Sequence, residues 1–262
     1  MSNFCCHKKF FKSGYYNKLS LSYIYKVVNY LFTNTMKAKQ SMDLLGEALK
    51  AHSQGDRSKF YFEDASGELF EHDLSRYFRK TSQLSKLERK LISLSYGDIL
   101  DVGCGTCNYI SLLAKKGKVG GIDISSNIID LAKKNGCKNC KVVDIFNFQT
   151  SKKYDTITFL ENNLGIGGNL DKTKKLLKKI SNLLKNDGQI LGILRRIPNK
   201  KYVVVELKPV WKKKVGPKFC WIHININFLS SMCEQAGLCL KVLQGNQHSY
   251  LVKIVKNNLS DR

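Results

Sequence analysis

The fold is decided by one short stretch of the chain, Ile99-Leu-Asp101-Val-Gly103-Cys-Gly105-Thr106. An apolar, β-like run ends in two glycines spaced one residue apart, and a helical pattern follows over Tyr109–Ala114. In doubly wound sheets a ligand lies beyond the carboxyl ends of the strands, where a glycine turn lets the backbone approach it and a helix N-terminus offers free N–H groups. The stretch therefore predicts a ligand site at the end of a parallel strand.

Strand-like and helix-like patterns alternate from this stretch towards the end of the chain. The strand patterns are Ile99–Val102, Val119–Ile122, Val142–Val143, Tyr154–Leu160 and Gln189–Leu194. The helical patterns among them are Tyr109–Ala114, Ile128–Lys134 and Leu170–Leu184, and Cys239–Leu243 and Tyr250–Val255 follow as a predicted antiparallel hairpin. Such alternation is typical of βαβ units around a parallel sheet. We predict an α/β, doubly wound, Rossmann-like fold with a mostly parallel seven-stranded sheet that ends in the C-terminal hairpin.

Charge and periodicity divide the chain into segments. Residues 1–41 contain seven lysines and no acidic residue, and we predict a basic N-terminal extension that the main domain does not need. The alternative for this extension is an amphipathic arm that touches membrane or RNA. Helical spacing at Met42–Ala51 and Leu84–Leu94 predicts a helical lead-in and cap over residues 42–96. The remaining segments are the main domain at 97–256, with a β-hairpin lid at 202–224, and a tail at 257–262.

The composition bears on the partners and the compartment. The formal net charge of +23 favours a nucleic-acid or anionic-membrane partner. Lysine carries most of this charge, whereas arginine is favoured for forked phosphate contacts, so a lysine-rich proteome explains the charge as well. The apolar stretch Leu19–Phe32 contains Lys26 and falls short of the roughly 20 apolar residues that cross a bilayer, so we predict no membrane span. Nine cysteines in an α/β pattern indicate reduced thiols in a cytoplasmic protein.

Carboxylates accompany three successive strand patterns. Asp101 lies in the first, Asp123 ends the second 22 positions later, and Asp144 ends the third. A carboxylate at the end of the second strand can accept hydrogen bonds from both hydroxyls of a ribose. Each acid alone is explained by a local turn, but three at successive strand ends indicate a nucleoside ligand. An NAD(P)-dependent oxidoreductase is the rival, but it would need G-x-G-x-x-G, whose third glycine is missing here.

Together these motifs resemble those of the class I S-adenosylmethionine-dependent methyltransferases. The further motifs are Gly121-Ile-Asp123-Ile-Ser, Val143-Asp144-Ile, Tyr154-Asp155-Thr-Ile-Thr and Leu184-Lys-Asn-Asp187-Gly188-Gln. The resemblance spans roughly residues 42–256 and is nearest to bacterial methyltransferase-domain proteins of unassigned substrate. It implies S-adenosylmethionine as the cofactor. One departure is Cys107, which stands where the family usually has a third glycine.

The resemblance also implies which residues bind the cofactor. Gly103 and Gly105 would approach its methionine part, and Asp101 would lie near its amino end. Asp123 would bind the ribose hydroxyls. Ile124 and Asp144 would contact the adenine, and Ile145 and Leu160 would make further contacts with the cofactor. Tyr77 and Arg79 would close over the cofactor carboxylate.

Catalytic candidates follow from the chemistry of methyl transfer, an in-line displacement in which the protein mainly aligns the nucleophile. A general base helps when the acceptor carries a proton. Glu161 is the only carboxylate just after the fourth strand, and His223 can titrate near neutrality. Both are candidate bases. The alternative for Glu161 is a solvated acid in a loop, and the alternative for His223 is a structural histidine whose hydrogen bonds are made within the fold. The candidate acceptor-binding residues are Asn162, Asn163 and Trp221.

The connection after the fifth strand predicts where the acceptor lies. About 30 residues separate Leu194 from Phe228, whereas such connections typically have 2–6 residues. The segment leaves the carboxyl edge of the sheet and carries broad aromatic side chains, which suit an apolar cavity. We therefore predict that Tyr202–Ile224 forms a lid over the acceptor, with Trp221 and His223 on one strand face.

The substrate class is predicted from motifs that are missing. Amino-methylating nucleic-acid enzymes carry an Asn/Asp-Pro-Pro-aromatic turn after the fourth strand, and cytosine carbon-methylating enzymes carry a Pro-Cys nucleophile. The only prolines here are Pro198, Pro209 and Pro217, and none precedes a cysteine. A small-molecule acceptor is favoured, with methylation at oxygen, nitrogen or carbon. An RNA methyltransferase and a noncatalytic cofactor-fold binding protein are the alternatives, and the oligomeric state stays open.

Two cysteine pairs, Cys104-x-x-Cys107 and Cys137-x-x-Cys140, have the spacing of a zinc ribbon. The predicted topology argues against a shared metal, because the first pair follows the first strand at the carboxyl edge of the sheet and the second precedes the third strand at the amino edge. A strand of about 5 residues separates these edges by more than about 15 Å. We therefore predict no metal site.

Overall fold

The structure is a computed structural model that describes residues 21–257 and the side chains of residues 36–257. Its helices are α1 (Leu21–Ser53), α2 (Lys86–Leu94), α3 (Ile110–Leu113), α4 (Ser126–Lys134), α5 (Leu170–Leu183) and α6 (Ile226–Gln235). Its strands are β1 (Phe60–Asp64), β2 (Leu69–Glu71), β3 (Gly97–Val102), β4 (Gly117–Asp123), β5 (Cys140–Val142), β6 (Tyr154–Phe159), β7 (Leu184–Arg195), β8 (Tyr202–Trp211), β9 (Lys214–Val215), β10 (Phe219–Ile224), β11 (Leu238–Gly245) and β12 (Ser249–Lys256). Residues 1–20 of the predicted extension and 258–262 of the predicted tail lie outside the described residues.

Seven strands form the main sheet in the order β11-β12-β7-β6-β3-β4-β5. The strands from β3 to β7 run parallel, and β12 and β11 add to one edge antiparallel. This confirms the predicted Rossmann-like fold with its C-terminal hairpin. The chain moves outward from β3 to β5 and returns to β6 on the other side of β3. The strand order therefore reverses beside β3, which is where doubly wound folds bind their ligands.

Helix α5 shows how periodicity builds this architecture. Its buried side chains recur at helical spacing and are Thr173, Leu176, Leu177, Ile180 and Leu183. Its start is capped by Asn169, whose side chain accepts a hydrogen bond from the backbone N–H of Lys172 at 2.9 Å. The buried stripe joins the core cluster of the main sheet, while the lysines between these positions remain at the surface.

The predicted helical lead-in is partly wrong, because it also supplies two strands. β1 and β2 join β8, β9 and β10 in a second sheet, in which β8 pairs with β1 on one side and with β10 on the other. The predicted lid hairpin is thus part of a larger sheet, in which β8 lies inside and β10 forms one edge. Strands as short as β1 and β2 depend on a partner: β2 pairs with β1, and β1 pairs with Leu207–Trp211, far away in the sequence. Local periodicity gives no sign of such a partner.

Helix α1 runs through the boundary predicted between residues 41 and 42. Ser41 is fully buried, and its hydroxyl donates a hydrogen bond to the carbonyl oxygen of Pro217 at 2.5 Å. The carboxylate of Asp43 accepts a hydrogen bond from the hydroxyl of Ser125 at 2.7 Å. The end of the predicted extension is therefore part of the folded domain. Within residues 21–257, no helix combines the length and apolar character that crossing a membrane requires.

Candidate functional site

The turn after β3 brings backbone to the carboxyl edge of the sheet. Gly103 and Gly105 have φ values of 72° and 55°, in the left-handed region that glycine adopts without strain. A Cβ atom added to Gly103 would lie 2.5 Å from Nδ2 of Asn163. That amide nitrogen donates hydrogen bonds to the carbonyl oxygens of Val102 and Gly103 at 3.1 and 2.9 Å. Asn163, a predicted acceptor-binding residue, therefore fixes the turn.

Asp101 and Asp123 differ in how their carboxylates are satisfied. Asp101 is buried, and its Oδ1 accepts a hydrogen bond from the hydroxyl of Thr158 at 2.7 Å. Its Oδ2 has no hydrogen-bond partner among the described residues, and burial raises the pKa of Asp101 to about 7. Asp123 is half-buried and accepts hydrogen bonds from the backbone N–H groups of Gly105 and Ser125 at 3.1 and 3.0 Å. Burial raises the pKa of Asp123 as well.

A cavity of about 910 Å³ lies against the glycine turn. Ligand pockets measure roughly 300–1,000 Å³, so this one can hold a sizeable organic ligand. The predicted residues that line it are Tyr77, Gly103, Gly105, Asp123, Ile124, Asp144, Ile145, Leu160, Glu161, Asn162, Asn163, Trp221 and His223. Within the described part of the chain, Asp101 and Arg79 are the two predicted residues that do not line it. The structure thus brings together nearly all of the predicted cofactor, acceptor and catalytic residues.

Glu161 is held in a network of ion pairs. Its Oε2 accepts a hydrogen bond from Nη2 of Arg76 at 2.5 Å, and its Oε1 accepts one from Nη2 of Arg79 at 2.6 Å. Arg79 also donates to Oε1 of Glu88 at 2.5 Å. The Tyr109 hydroxyl lies 2.5 Å from Oε1 of Glu88 and 2.9 Å from Oε1 of Glu161. Both carboxylate oxygens of Glu161 are thus engaged by guanidinium groups.

Most of this network was missed by sequence reasoning, because its members come from separate segments. Glu88 alone had a local signal, the capping box at the start of α2, in which the backbone N–H of Ser85 donates to Oε2 of Glu88 at 2.6 Å. His72 was missed too. It lines the cavity, its Nε2 lies 3.1 Å from the hydroxyl of Tyr77, and burial lowers its pKa to about 4.

His223 and Asn162 form a hydrogen-bonded pair on the cavity wall. Oδ1 of Asn162 accepts a hydrogen bond from the backbone N–H of Arg195 at 2.9 Å, which turns the amide nitrogen towards Nδ1 of His223, 3.1 Å away. Nδ1 is then the acceptor, so the neutral ring carries its proton on Nε2. Burial lowers the pKa of His223, and the positive charge of Arg195 acts in the same direction. His223 is therefore a neutral hydrogen-bond donor at pH 7.

Strand β10 forms part of the cavity wall. Phe219, Trp221 and His223, which alternate along the strand, line the cavity together with Cys220. The indole of Trp221 packs closely on Gly165, in the 3-10 helix Asn163–Gly167, where an added Cβ atom would lie 2.0 Å from Nε1. This contact fixes the second sheet against the carboxyl end of β6, next to Glu161 and Asn162.

The two cysteine pairs meet, and the topological argument against this was wrong. The Sγ atoms of Cys107, Cys137 and Cys140 lie within 4.8 Å of one another, and Sγ of Cys104 lies 3.9 Å from that of Cys107. The reason is that β5 has only three residues and begins late, since Cys140 pairs with Gly121, two positions before β4 ends. The amino end of β5 therefore lies close to the carboxyl edge of β4, beside the glycine turn.

Sequence comparisons match part of the chain. Residues 99–188 match the model of a methyltransferase domain family. Protein 235L of Invertebrate iridescent virus 6, a methyltransferase by name, is 44% identical over 63 residues. This match covers 22% of the present chain and 24% of the viral protein, so the chain spans about a quarter of the curated relative that it matches.

Comparisons with solved structures cover much more of the fold. The S-adenosylmethionine-dependent methyltransferase of Bacteroides fragilis, solved with S-adenosyl-L-homocysteine, has a TM-score of 0.74 at 24% identity, over 85% of this chain and 97% of that one. The sugar N-methyltransferase KedS8 of a Streptoalloteichus species has a TM-score of 0.51 at 14% identity, over 73% of this chain and 96% of that one. At these identities the likeness establishes the fold.

Proposed function

We propose that this chain, whose residues 99–188 match a methyltransferase domain family, is a class I S-adenosylmethionine-dependent methyltransferase. It transfers the methyl group of that cofactor to an oxygen, nitrogen or carbon of a small-molecule acceptor. The observation that carries the proposal is one cavity lined both by the residues expected at the cofactor and by those expected at the acceptor. The cofactor supplies a methyl group on an already activated carbon. The protein therefore has to bind the cofactor and the acceptor, align them and exclude water.

The residues at the carboxyl ends of β3 to β5 fit this cofactor. Gly103 and Gly105 both line the cavity, and neither carries a side chain that would keep a ligand away from the backbone. Asp123 lines the cavity and is half-buried, which suits hydrogen bonds from ribose hydroxyls. Ile124 and Ile145 add apolar wall on which an adenine can pack. Oδ2 of Asp101 has no partner among the described residues, and because Asp101 is buried behind the cavity lining, a water molecule between this oxygen and the ligand would satisfy it.

The acceptor side is covered by elements outside the main sheet. Apolar side chains from α1, β1, β8 and β10 line the cavity, namely Met42, Leu45, Phe62, Leu207 and Phe219. This cover favours a small molecule over RNA, because proteins that bind single-stranded RNA use positively charged grooves with stacking platforms. The fold of the sugar N-methyltransferase KedS8 supports the same class of acceptor.

The geometry supports substrate alignment, rather than proton removal, as the role of His223 and Glu161. Neutral His223 presents Nε2–H as a donor that can hold an acceptor oxygen or carbonyl group, while Asn162 keeps the ring in place. Glu161 is already paired with Arg76 and Arg79 and positions the 3-10 helix Leu74–Phe78 against the end of β6. The rate enhancement is then expected mainly from orientation, which can contribute up to about 7–11 kcal/mol.

Variants of His223 distinguish a hydrogen-bond donor from a base. His223→Gln retains an amide donor and is expected to keep kcat/KM within about 3-fold, whereas His223→Ala is expected to lower it about 10-fold, the value of one neutral hydrogen bond. A general base would instead cost about 10²–10⁴-fold in both variants. Steady-state kinetics on an identified acceptor measure the effect, and calorimetry with S-adenosylhomocysteine should show unchanged affinity.

Trp221→Ala, the matched lid variant, should raise KM for the acceptor at unchanged cofactor affinity.

The substrate class is tested by following a radiolabelled methyl group. The purified protein is incubated with labelled S-adenosylmethionine and either a metabolite extract or total RNA. We expect label in the metabolite fraction, and none when Asp123→Ala replaces the wild type. Label on RNA alone would make the protein an RNA methyltransferase, and consumption of cofactor with neither fraction would support a noncatalytic binding protein.

A further inference from the structure

Four cysteines from two segments converge beside the glycine turn. Cys104 and Cys107 lie between β3 and α3, whereas Cys137 and Cys140 lie where the chain passes from α4 into β5. All four are buried, with exposed fractions between 3% and 9%. They form a cluster of their own, apart from the larger cores, with Ile129 and Ala132 among their buried neighbours.

Three of the four sulfurs lie close enough together for one tetrahedral ion, and the fourth, Sγ of Cys104, lies next to that of Cys107. Zinc binds thiolates at about 2.3 Å, which places two sulfurs of one tetrahedral site roughly 3.8 Å apart. The Sγ atoms of Cys104 and Cys107 are 3.9 Å apart, and those of Cys107, Cys137 and Cys140 lie within 4.8 Å of one another. A disulfide joins only two sulfurs, at about 2.0 Å. It does not explain why three thiols from two segments are mutually close.

The backbone of Cys107 is a second, independent indication. Its φ of 64° lies in the left-handed region, where a side chain is strained and glycine is favoured. Its N–H donates to the carbonyl oxygen of Cys104 at 2.9 Å, which closes a tight turn around the first pair. A cysteine at this position carries a backbone strain that glycine would avoid. Metal binding by the thiol would explain why a cysteine, rather than glycine, occupies this strained position.

We propose that Cys104, Cys107, Cys137 and Cys140 coordinate one zinc ion. Binding converts four thiols into thiolates and releases four protons, so the site carries a net charge of −2. Because all four ligands come from the protein, the site is closed and structural, and the metal takes no part in methyl transfer. Its effect is to tie the glycine turn to the start of β5, which holds Gly103 and Gly105 in register with the third strand end at Asp144.

The site is tested by metal analysis of the full chain, produced without a metal-binding tag and dialysed against chelator-treated buffer. We expect about one zinc per chain by plasma mass spectrometry. Protein grown with cobalt in place of zinc should show the absorption of tetrahedral cobalt–thiolate coordination. This second measurement needs no substitution, so it stays informative even where a variant folds poorly.

Two variants make the proposal specific. Cys107→Gly relieves the backbone strain while removing one ligand, and it should lose the zinc yet remain folded. Cys233→Ala is the matched control, because Cys233 is a fully buried cysteine in α6, outside the cluster, and should keep the zinc. A wild-type protein without bound zinc, intact masses that show disulfides within the cluster, or zinc retained at the wild-type level by Cys107→Gly would each overturn the proposal.

Discussion

Replacing Asp123 by alanine is expected to weaken binding of S-adenosylhomocysteine at least 100-fold. The proposed role of Asp123 is to accept hydrogen bonds from both ribose hydroxyls. A hydrogen bond to a charged group contributes about 1.5–3 kcal/mol, so losing two costs about 3–6 kcal/mol. At about 1.4 kcal/mol per tenfold change, this corresponds to a loss of roughly 10²–10⁴-fold in affinity. Isothermal titration calorimetry of the two proteins measures it.

The matched control is Asp130→Ala, because Asp130 is an exposed acid on α4, the helix that follows Asp123. The affinity of the Asp130→Ala protein for S-adenosylhomocysteine should equal that of the wild type. Asp123 also accepts hydrogen bonds from the backbone of the turn, so thermal melts without ligand must show that the variant still folds. A folded Asp123→Ala protein with an affinity within 3-fold of the wild type would refute the assigned ribose contact.

The second large effect expected is on the pH dependence of stability, through Asp101. Burial raises the pKa of this carboxyl group from 3.8 to about 7, so the folded state holds a proton that the unfolded state releases near pH 4. Stability contributed by Asp101 is therefore fully present below pH 4 and is lost as the pH rises towards 7. At about 1.4 kcal/mol per pKa unit, the loss is on the order of 4 kcal/mol.

The variant Asp101→Asn isolates this contribution, since asparagine is uncharged at every pH. The free energy of unfolding of the variant, relative to the wild type, should rise by on the order of 4 kcal/mol between pH 4 and pH 8. Urea denaturation of both proteins across this range, without cofactor, provides the measurement. Asp98→Asn is the control, because ion pairing with Lys152 lowers the pKa of Asp98 and leaves it charged above pH 4. A pH-independent difference between Asp101→Asn and the wild type would contradict the assignment.

Added cofactor should reduce this pH dependence if Oδ2 of Asp101 gains a partner on binding. The same urea series with saturating S-adenosylhomocysteine tests that contribution. Because Asp123 and Asp144 also have raised pKa values through burial, the wild type should lose stability with rising pH in the same direction from all three acids.

The sequence by itself determined the main sheet and the edge of that sheet against which the cavity lies. The stretch at residues 99–106 and the acids at successive strand ends predicted the site, because parallel strands place their carboxyl ends at one edge whatever the connecting helices contain. The same rule brought Glu161, Asn162 and Asn163 to this edge from the end of β6. These positions depend on local patterns, and local patterns can be seen in one sequence.

Only the tertiary structure decided what those residues touch. The second sheet needs β1 to meet β8, Glu161 is paired with Arg76 and Arg79, and Asn162 fixes the tautomer of His223. Each depends on contacts between segments far apart in the chain. The cysteine cluster shows the physical reason most directly. Spacing alone suggested a zinc site, a general rule about strand edges argued against it, and the late start of the three-residue strand β5 brings the four thiols together. Strand length and stagger arise from long-range pairing, which a single sequence does not record.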